Sequence, residues 1–424
     1  MFPPQPDILA REKLGEGAYS ACWRALYVKE NHRRPVVVRY FPCIKSLHDF
    51  GREKEIYRKG VKKGLKSIPR LLEVRKTGSG YLQLFEDAHG RDLRKWLKQR
   101  KGEPWPEKTI VDAMTQIATT LMTLNSWGVI HSDIKPANIL MNAQGRIQLL
   151  DLTECNRPGS WYHWEHYVGD KKYAPPERMD GHLDEQGQVF MLGLVAWEMA
   201  TGRHLFEGMD DDTPFLNMVK LRWWPRDRSA IAHLSPWLQH LLLAMSSVDP
   251  NQRPTLRHVL KIIEQQVVLD VWRYEENRPQ VFAEDELDAR TRLAEAGICY
   301  ARFMEAVDIE NAGEVAEAKK RYAMLAEQGY SRAQNNLGVL LLDVGKVEAA
   351  VSLFRKALAK GNVYAAFNLG KYVQEAGDLA SALRYFEFSA MRGHPQAKEH
   401  LSRLLEKKGR YAAAAYWKSL ADCA

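Results

Sequence analysis

Val129-Ile130-His131-Ser132-Asp133-Ile134-Lys135-Pro136-Ala137-Asn138-Ile139-Leu140 is the stretch on which the reading of this chain turns. An aspartate, a lysine two residues on and an asparagine five residues on lie between two apolar runs. Thirteen residues after Asn138 stands Asp151, delivered by the strand-like alternation Ile147-Gln148-Leu149. Further on come Tyr173-Ala174-Pro175-Pro176-Glu177 and, much later, Asp249-Pro250-Asn251-Gln252-Arg253-Pro254. Upstream, Leu14-Gly15-Glu16-Gly17-Ala18-Tyr19-Ser20-Ala21-Cys22 follows an apolar run. Alone, that Gly-x-Gly fits an ordinary hairpin turn as well as a phosphate-cradling loop.

The quoted stretch resembles the protein-kinase catalytic loop, His-Arg-Asp-x-Lys-x-x-Asn. Phosphoryl transfer asks that a nucleophile be oriented, phosphate charge neutralised and metals held. The resemblance implies that Asp133 orients the substrate hydroxyl and accepts its proton, and that Lys135 stabilises charge on the transferred group. It implies Asn138 and Asp151 as metal ligands, with ATP and Mg (or Mn) as cofactors. Lys135 followed by Pro136 matches the serine/threonine pattern. Leu14, Gly15, Gly17, Ser20 and Cys22 would belong to the glycine-rich loop over the nucleotide, with Ser20 in place of the third glycine. Arg39 and Glu53 would complete the ATP site, and Leu84–Ala88 would be the hinge beside adenine. Glu177 would pair with Arg253 as a structural anchor.

The implied fold is the α+β bilobal kinase fold over 7–265, with a β-rich N-lobe and a helical C-lobe. Strand-like runs at Ile8–Leu14, Cys22–Leu26, Val36–Phe41 and Tyr81–Phe85 fit the first lobe. A helix after Asp49 has Phe50, Ile56 and Tyr57 as its apolar positions, and Pro106–Trp127 and Gln188–Ala200 read as long helices.

Several positions depart from the family pattern. Arg39 stands where strand three carries lysine; it keeps the charge, but its planar fork is bulkier than an ammonium. Lys45 is near in sequence but off the strand register. By the resemblance, Ser132 replaces the arginine that reads a phosphorylated activation loop, so no such phosphorylation is expected to be needed. Thr153 replaces a glycine, which reduces backbone freedom. Asp170 replaces a threonine and could either pair with Lys135 or repel Asp133. Gln188 replaces an aspartate, and its amide oxygen can still accept backbone hydrogen bonds.

Beyond a charged, aperiodic bridge at 266–285, the chain repeats every 32 residues over 286–424. Gly329, Gly361 and Gly393 lead Ala333, Ala365 and Ala397, then Leu337, Leu369 and Leu401. Gly345, Gly377 and Gly409 lead Ala350, Ala382 and Ala414, and Gly313 with Ala318 extends the register upstream. Small residues let paired helices approach and glycine ends each helix, so an all-α solenoid is expected. The phrase Gly-x-x-x-Ala-x-x-x-Leu-Gly resembles Sel1-like repeats, relatives of the tetratricopeptide family. A protein partner is expected on these repeats.

Length and composition set the outer bounds. At 424 residues two or three domains are expected. The net charge of +8 is spread through interleaved signs, so no nucleic-acid partner is expected. Trp223-Trp224-Pro225-Arg226 reads as packing between helices. Cys22, Cys43, Cys155, Cys299 and Cys423 form no Cys-x-x-Cys pair, which suits a reducing compartment. No secretory leader or membrane span is expected, which places the protein in the cytoplasm.

The functional expectation is a serine/threonine protein kinase with an unidentified protein substrate, recruited by the repeats. Arg39, Thr153, Asp170 and Gln188 keep a pseudokinase scaffold open as an alternative. A small-molecule phosphotransferase shares the aspartate–asparagine loop, but not the glycine-rich loop together with Lys135-Pro136 and Tyr173–Glu177.

Overall fold

A computed structural model describes residues 5–16, 20–29, 32–41, 47–77, 80–152, 155–156, 172–180, 183–206, 228–247, 250–267, 291, 294, 299–391 and 394–422. Gly17, Cys43, Lys45, Thr153, Asp170, Trp223–Arg226, Asp249, Gly393, Cys423 and the bridge after Val267 lie outside these residues.

β1 (Ile8–Glu16), β2 (Ala21–Lys29) and β3 (His32–Phe41) run as a meander, followed by α1 (Leu47–Lys63). The hairpin of β4 (Leu71–Thr77) and β5 (Gly80–Glu86) completes a five-stranded antiparallel sheet ordered β1-β2-β3-β5-β4. Side chains alternate across a strand. Val36, Val38 and Tyr40 therefore share one core with Ile8, Ala25, Leu82 and Leu84. Val37 faces the other way, onto Ile56 and Tyr57 of α1, Phe85 and Leu152. Arg39 falls on that second face, and β3 thereby aims a charge under α1. β2 and β3 extend past their apolar runs, through Lys29 and from His32, because the hairpin pairs polar residues as readily as apolar ones.

The helical lobe begins with β6 (Gly90–Asp92) and α2 (Leu93–Arg100), whose N-terminus Asp92 caps by accepting from Lys95 N at 3.0 Å. α3 (Glu107–Ser126) buries Ile110, Met114, Ile117 and Leu121 at helical spacing. β7 (Ile130–His131), β8 (Ile139–Asn142) and β9 (Ile147–Leu149) frame the quoted loop, and β10 (Cys155–Asn156) pairs with β7. α4 (Glu185–Thr201) is buried on nearly every side, as befits the centre of a lobe. A Cβ at Gly193 would lie 2.9 Å from Met245 Cβ, so glycine sets how close α4 comes to α5 (Pro236–Met245). α6 (Leu256–Gln265) closes the lobe against α3.

Eight further helices follow among the described residues: α7 (Cys299–Asn311), α8 (Val315–Glu327), α9 (Ser331–Asp343), α10 (Val347–Ala359), α11 (Val363–Glu375), α12 (Leu379–Met391), α13 (Pro395–Lys407) and α14 (Tyr411–Asp422). Each packs on the next, and α7 also touches the 176–180 turn. Ala333, Ala365 and Ala397 are fully buried, as are Ala318, Ala350 and Ala382. Gly313, Gly329, Gly345, Gly361, Gly377 and Gly409 adopt the left-handed conformation, the usual helix stop. Gly338 and Gly370 do steric work: a Cβ there would come within 2.6 Å of Phe354 and 2.7 Å of Phe386.

Candidate active site

Three segments converge on Arg39. Its Nε donates to Ser20 Oγ at 2.8 Å, its Nη1 to Glu53 Oε1 at 2.9 Å and its Nη2 to Asp151 Oδ1 at 2.8 Å. One guanidinium thus ties the loop after β1, helix α1 and the segment after β9. An ammonium on a lysine stem cannot span three such partners in one plane. Burial alone would weaken the Arg39 charge, but Asp151 and Glu53 outweigh it and hold the guanidinium above its ordinary pKa. Glu53 is buried, and burial pushes its carboxyl up against the opposing pull of Arg39. Gln83 donates to its second oxygen at 3.0 Å, so both carboxylate oxygens have donors. Those donors favour the ionised form.

Asp151 sits at φ +58°, left-handed for a residue with a Cβ. Such a conformation costs about 1–2 kcal/mol and persists only when surroundings fix it. The Arg39 pair is one restraint. Another is Leu150 N donating to Asn138 O at 2.8 Å, which locks this segment to the quoted loop.

Within that loop, Asp133 is buried. Its Oδ2 accepts from Asn138 Nδ2 at 2.7 Å and pairs with Lys135 Nζ at 2.8 Å. Asn138 Nδ2 also donates to Asp133 O at 2.9 Å. Asp133 Oδ1 is buried with no hydrogen-bond partner among the described residues. His131 is fully buried: its Nδ1 accepts from Asp133 N at 3.3 Å, and its Nε2 lies 3.0 Å from Leu150 O. That pairing selects the tautomer with the proton on Nε2. Burial also holds the imidazole below its ordinary value of 6.5.

Leu14 and Gly15 lie at the end of β1, with Gly15 opposite Cys22; Cys22 in turn faces Arg39 across β3. Burial pushes the Cys22 thiol up, so it packs as a neutral side chain. Leu84 and Phe85 are still strand, and the chain leaves the sheet after Glu86. Away from this cluster, Arg253 grips Glu177 through Nη1 at 2.6 Å and Nη2 at 2.9 Å, both residues buried.

Two partners were not paired in advance. Gln188 Oε1 takes the side-chain amide of Asn125 at 2.8 Å rather than a backbone donor. Gln83 was visible only as a polar residue inside the apolar run Tyr81-Leu82-Gln83-Leu84-Phe85.

Among similar proteins, the serine/threonine-protein kinase PKH3 of Eremothecium gossypii is 25% identical over 278 residues, covering 60% of this chain and 36% of that one. The maternal embryonic leucine zipper kinase of Danio rerio is 31% identical over 200 residues, covering 46% and 28%. The serine/threonine-protein kinase Nek3 of Mus musculus is 25% identical over 253 residues, covering 58% and 47%. The chain thus spans less than half the length of these relatives. The family model described as protein kinase domain matches residues 9–263, well over half of the chain, and the chain belongs to that family.

Proposed function

We propose that the chain is a serine/threonine protein kinase that transfers the γ-phosphoryl group of Mg-ATP (or Mn-ATP) to protein hydroxyls. The observation that carries this reading is Asp133. One carboxylate oxygen is held by Asn138 and Lys135; the other is buried with no partner among the described residues. A carboxylate fixed in this way can receive a hydroxyl and take its proton. Lys135, beside it, supplies positive charge where phosphate oxygens would gather.

Asn138 and Asp151 suit a hard divalent cation, since both present oxygen donors and the Leu150–Asn138 bond draws their segments together. When bound, Mg-ATP supplies the phosphoryl group and the charge that neutralises it. The described residues hold no cluster of three or more His, Cys, Asp or Glu, so phosphate oxygens and water would complete the metal's shell. Leu14, Gly15, Gly17, Ser20 and Cys22 form the nucleotide lid, and Arg39 with Glu53 orients the phosphates. Glu177 and Arg253 anchor the segment that faces the substrate.

We read 266–285 as a linker and the helices from α7 on as a Sel1-like solenoid that recruits a substrate or regulator. The 32-residue spacing of buried alanines supports this. No helix among the described residues is long and apolar enough to cross a membrane, and we place the protein in the cytoplasm on its cysteine usage.

A second reading, a pseudokinase scaffold, is favoured by one contact: Arg39 Nη2 occupies an oxygen of Asp151 that the metal would use. Incubation with labelled ATP, Mg or Mn and a generic basic protein separates the two. The kinase reading expects label on the substrate or the protein itself, lost in Asp133→Ala. A silent wild type whose melting temperature does not rise with millimolar Mg-ATP contradicts it.

A further inference from the structure

Helix α1 has a second face that the site does not use. Its inner side is fixed: Glu53, Ile56 and Tyr57 are buried, and a Cβ at Gly60 would come within 2.5 Å of Ile68. Its outer side presents Arg58, Lys59, Lys62 and Lys63, all exposed and spaced to share one helical face. Exposed Lys66 and Arg70 continue the series on the way to β4. No carboxylate occurs between Glu55 and Glu73, while six lysines and arginines do. Arg70 lies 3.6 Å from Glu86. Among the described residues, no salt bridge involves Arg58, Lys59, Lys62, Lys63 or Lys66. Val61, on the flank of this face beside Arg58, is 41% exposed.

We propose that this face docks on an anionic lipid bilayer. Three observations choose the bilayer over other polyanions. The charge is carried mainly by lysines, flexible point charges suited to mobile headgroups; a fixed carboxylate pattern on a protein would favour arginine forks. An exposed valine on the flank of this face, beside Arg58, gives an apolar group to enter the headgroup boundary, while the lysine stems lie along it. The neighbouring aromatic, Trp127, has Lys59 Nζ 4.9 Å over its ring, so that face is not open to stack nucleic-acid bases. The docking concerns the lobe surface only and holds whether or not the chain transfers phosphate.

The test is co-sedimentation of the full chain with phosphatidylcholine vesicles, with and without phosphatidylserine. Wild type should pellet only with the anionic vesicles, and less as salt rises. Lys62→Glu/Lys63→Glu/Lys66→Glu should lower the partition coefficient roughly a hundredfold or more, at about fivefold for each lysine lost. Val61→Asp should lower it several-fold. A control with the same charge change, Lys98→Glu/Lys346→Glu/Lys408→Glu, should bind nearly as wild type does. No serine-lipid-dependent binding overturns the proposal, as does equal loss in the two triple variants. So does capture of a labelled RNA through these lysines without vesicle binding, which would assign the face to nucleic acid.

Discussion

The kinase unit and the C-terminal helices are held together by different means. In the first, polar side chains meet across long stretches of chain: Arg39 reaches Asp151, 112 residues away, and Arg253 reaches Glu177, 76 away. In the second, the buried positions are small, aliphatic or aromatic, the buried alanines recur every 32 residues, and the helices pack chiefly on their neighbours in sequence. A buried charge that loses its partner damages the whole unit it sits in, because nothing nearby can replace the bond. A lost ring in a stack of repeats damages one interface and its neighbours. The two regions should therefore fail differently.

Arg253→Ala sharpens this contrast most. It strands the Glu177 carboxylate and removes donors to Ser247 O and Gln186 O. We expect a loss of about 3–5 kcal/mol confined to the kinase unit, with hydrogen exchange of α9–α14 unchanged. Uniform loss across both regions would break the comparison. Phe354→Ala empties the ring site against Gly338 and should cost about 3 kcal/mol or more, with exchange rising in α9–α11 and not in α3 or α4.

His131 gives a pH signature specific to the loop around Asp133. Its pKa in the fold is below 6.5, so the unfolded chain binds the proton more readily. This contribution to stability is present above about 6.5 and is lost as pH falls below it. Asp133, Asp151 and Lys135 surround the ring and set how far the titration is displaced. Unfolding measured from pH 7 to pH 5 should show a drop in wild type that is reduced in His131→Gln. The smallest effect is expected at Asn362, whose side chain caps α11 at Ala365 N and donates to Ser331 O. Asn362→Ala should cost about 1 kcal/mol, seen as a small shift in the repeat transition alone.

The two regions were also legible to different degrees. The repeats were readable because packing at a fixed period leaves a periodic trace: alanines that tolerate nothing larger and glycines at positive φ. The Val129–Leu140 stretch was readable because its polar residues lie close together in sequence. What stayed hidden depended on spatial pairing. Nothing in Ser20, Glu53 and Asp151 taken singly says that one guanidinium would hold all three. The same holds for Asn125 and Gln188, whose bond joins α3 to α4 across 63 residues. β4 was missed because Glu73, Arg75 and Lys76 break the apolar pattern; Arg75 is held there by Asp7 and Glu73. The basic face of α1 was overlooked because whole-chain charge counts average over it.

On the proposed kinase reading, Arg39 completes a working site. Phosphate transfer from labelled ATP should be measured for wild type, Arg39→Met and Arg39→Lys at matched concentrations. The account predicts transfer by wild type and its loss in Arg39→Met, since Glu53 and Asp151 would lose their shared cation. A silent wild type beside an active Arg39→Lys would contradict it, and would mean that the arginine clamp disables an otherwise competent fold.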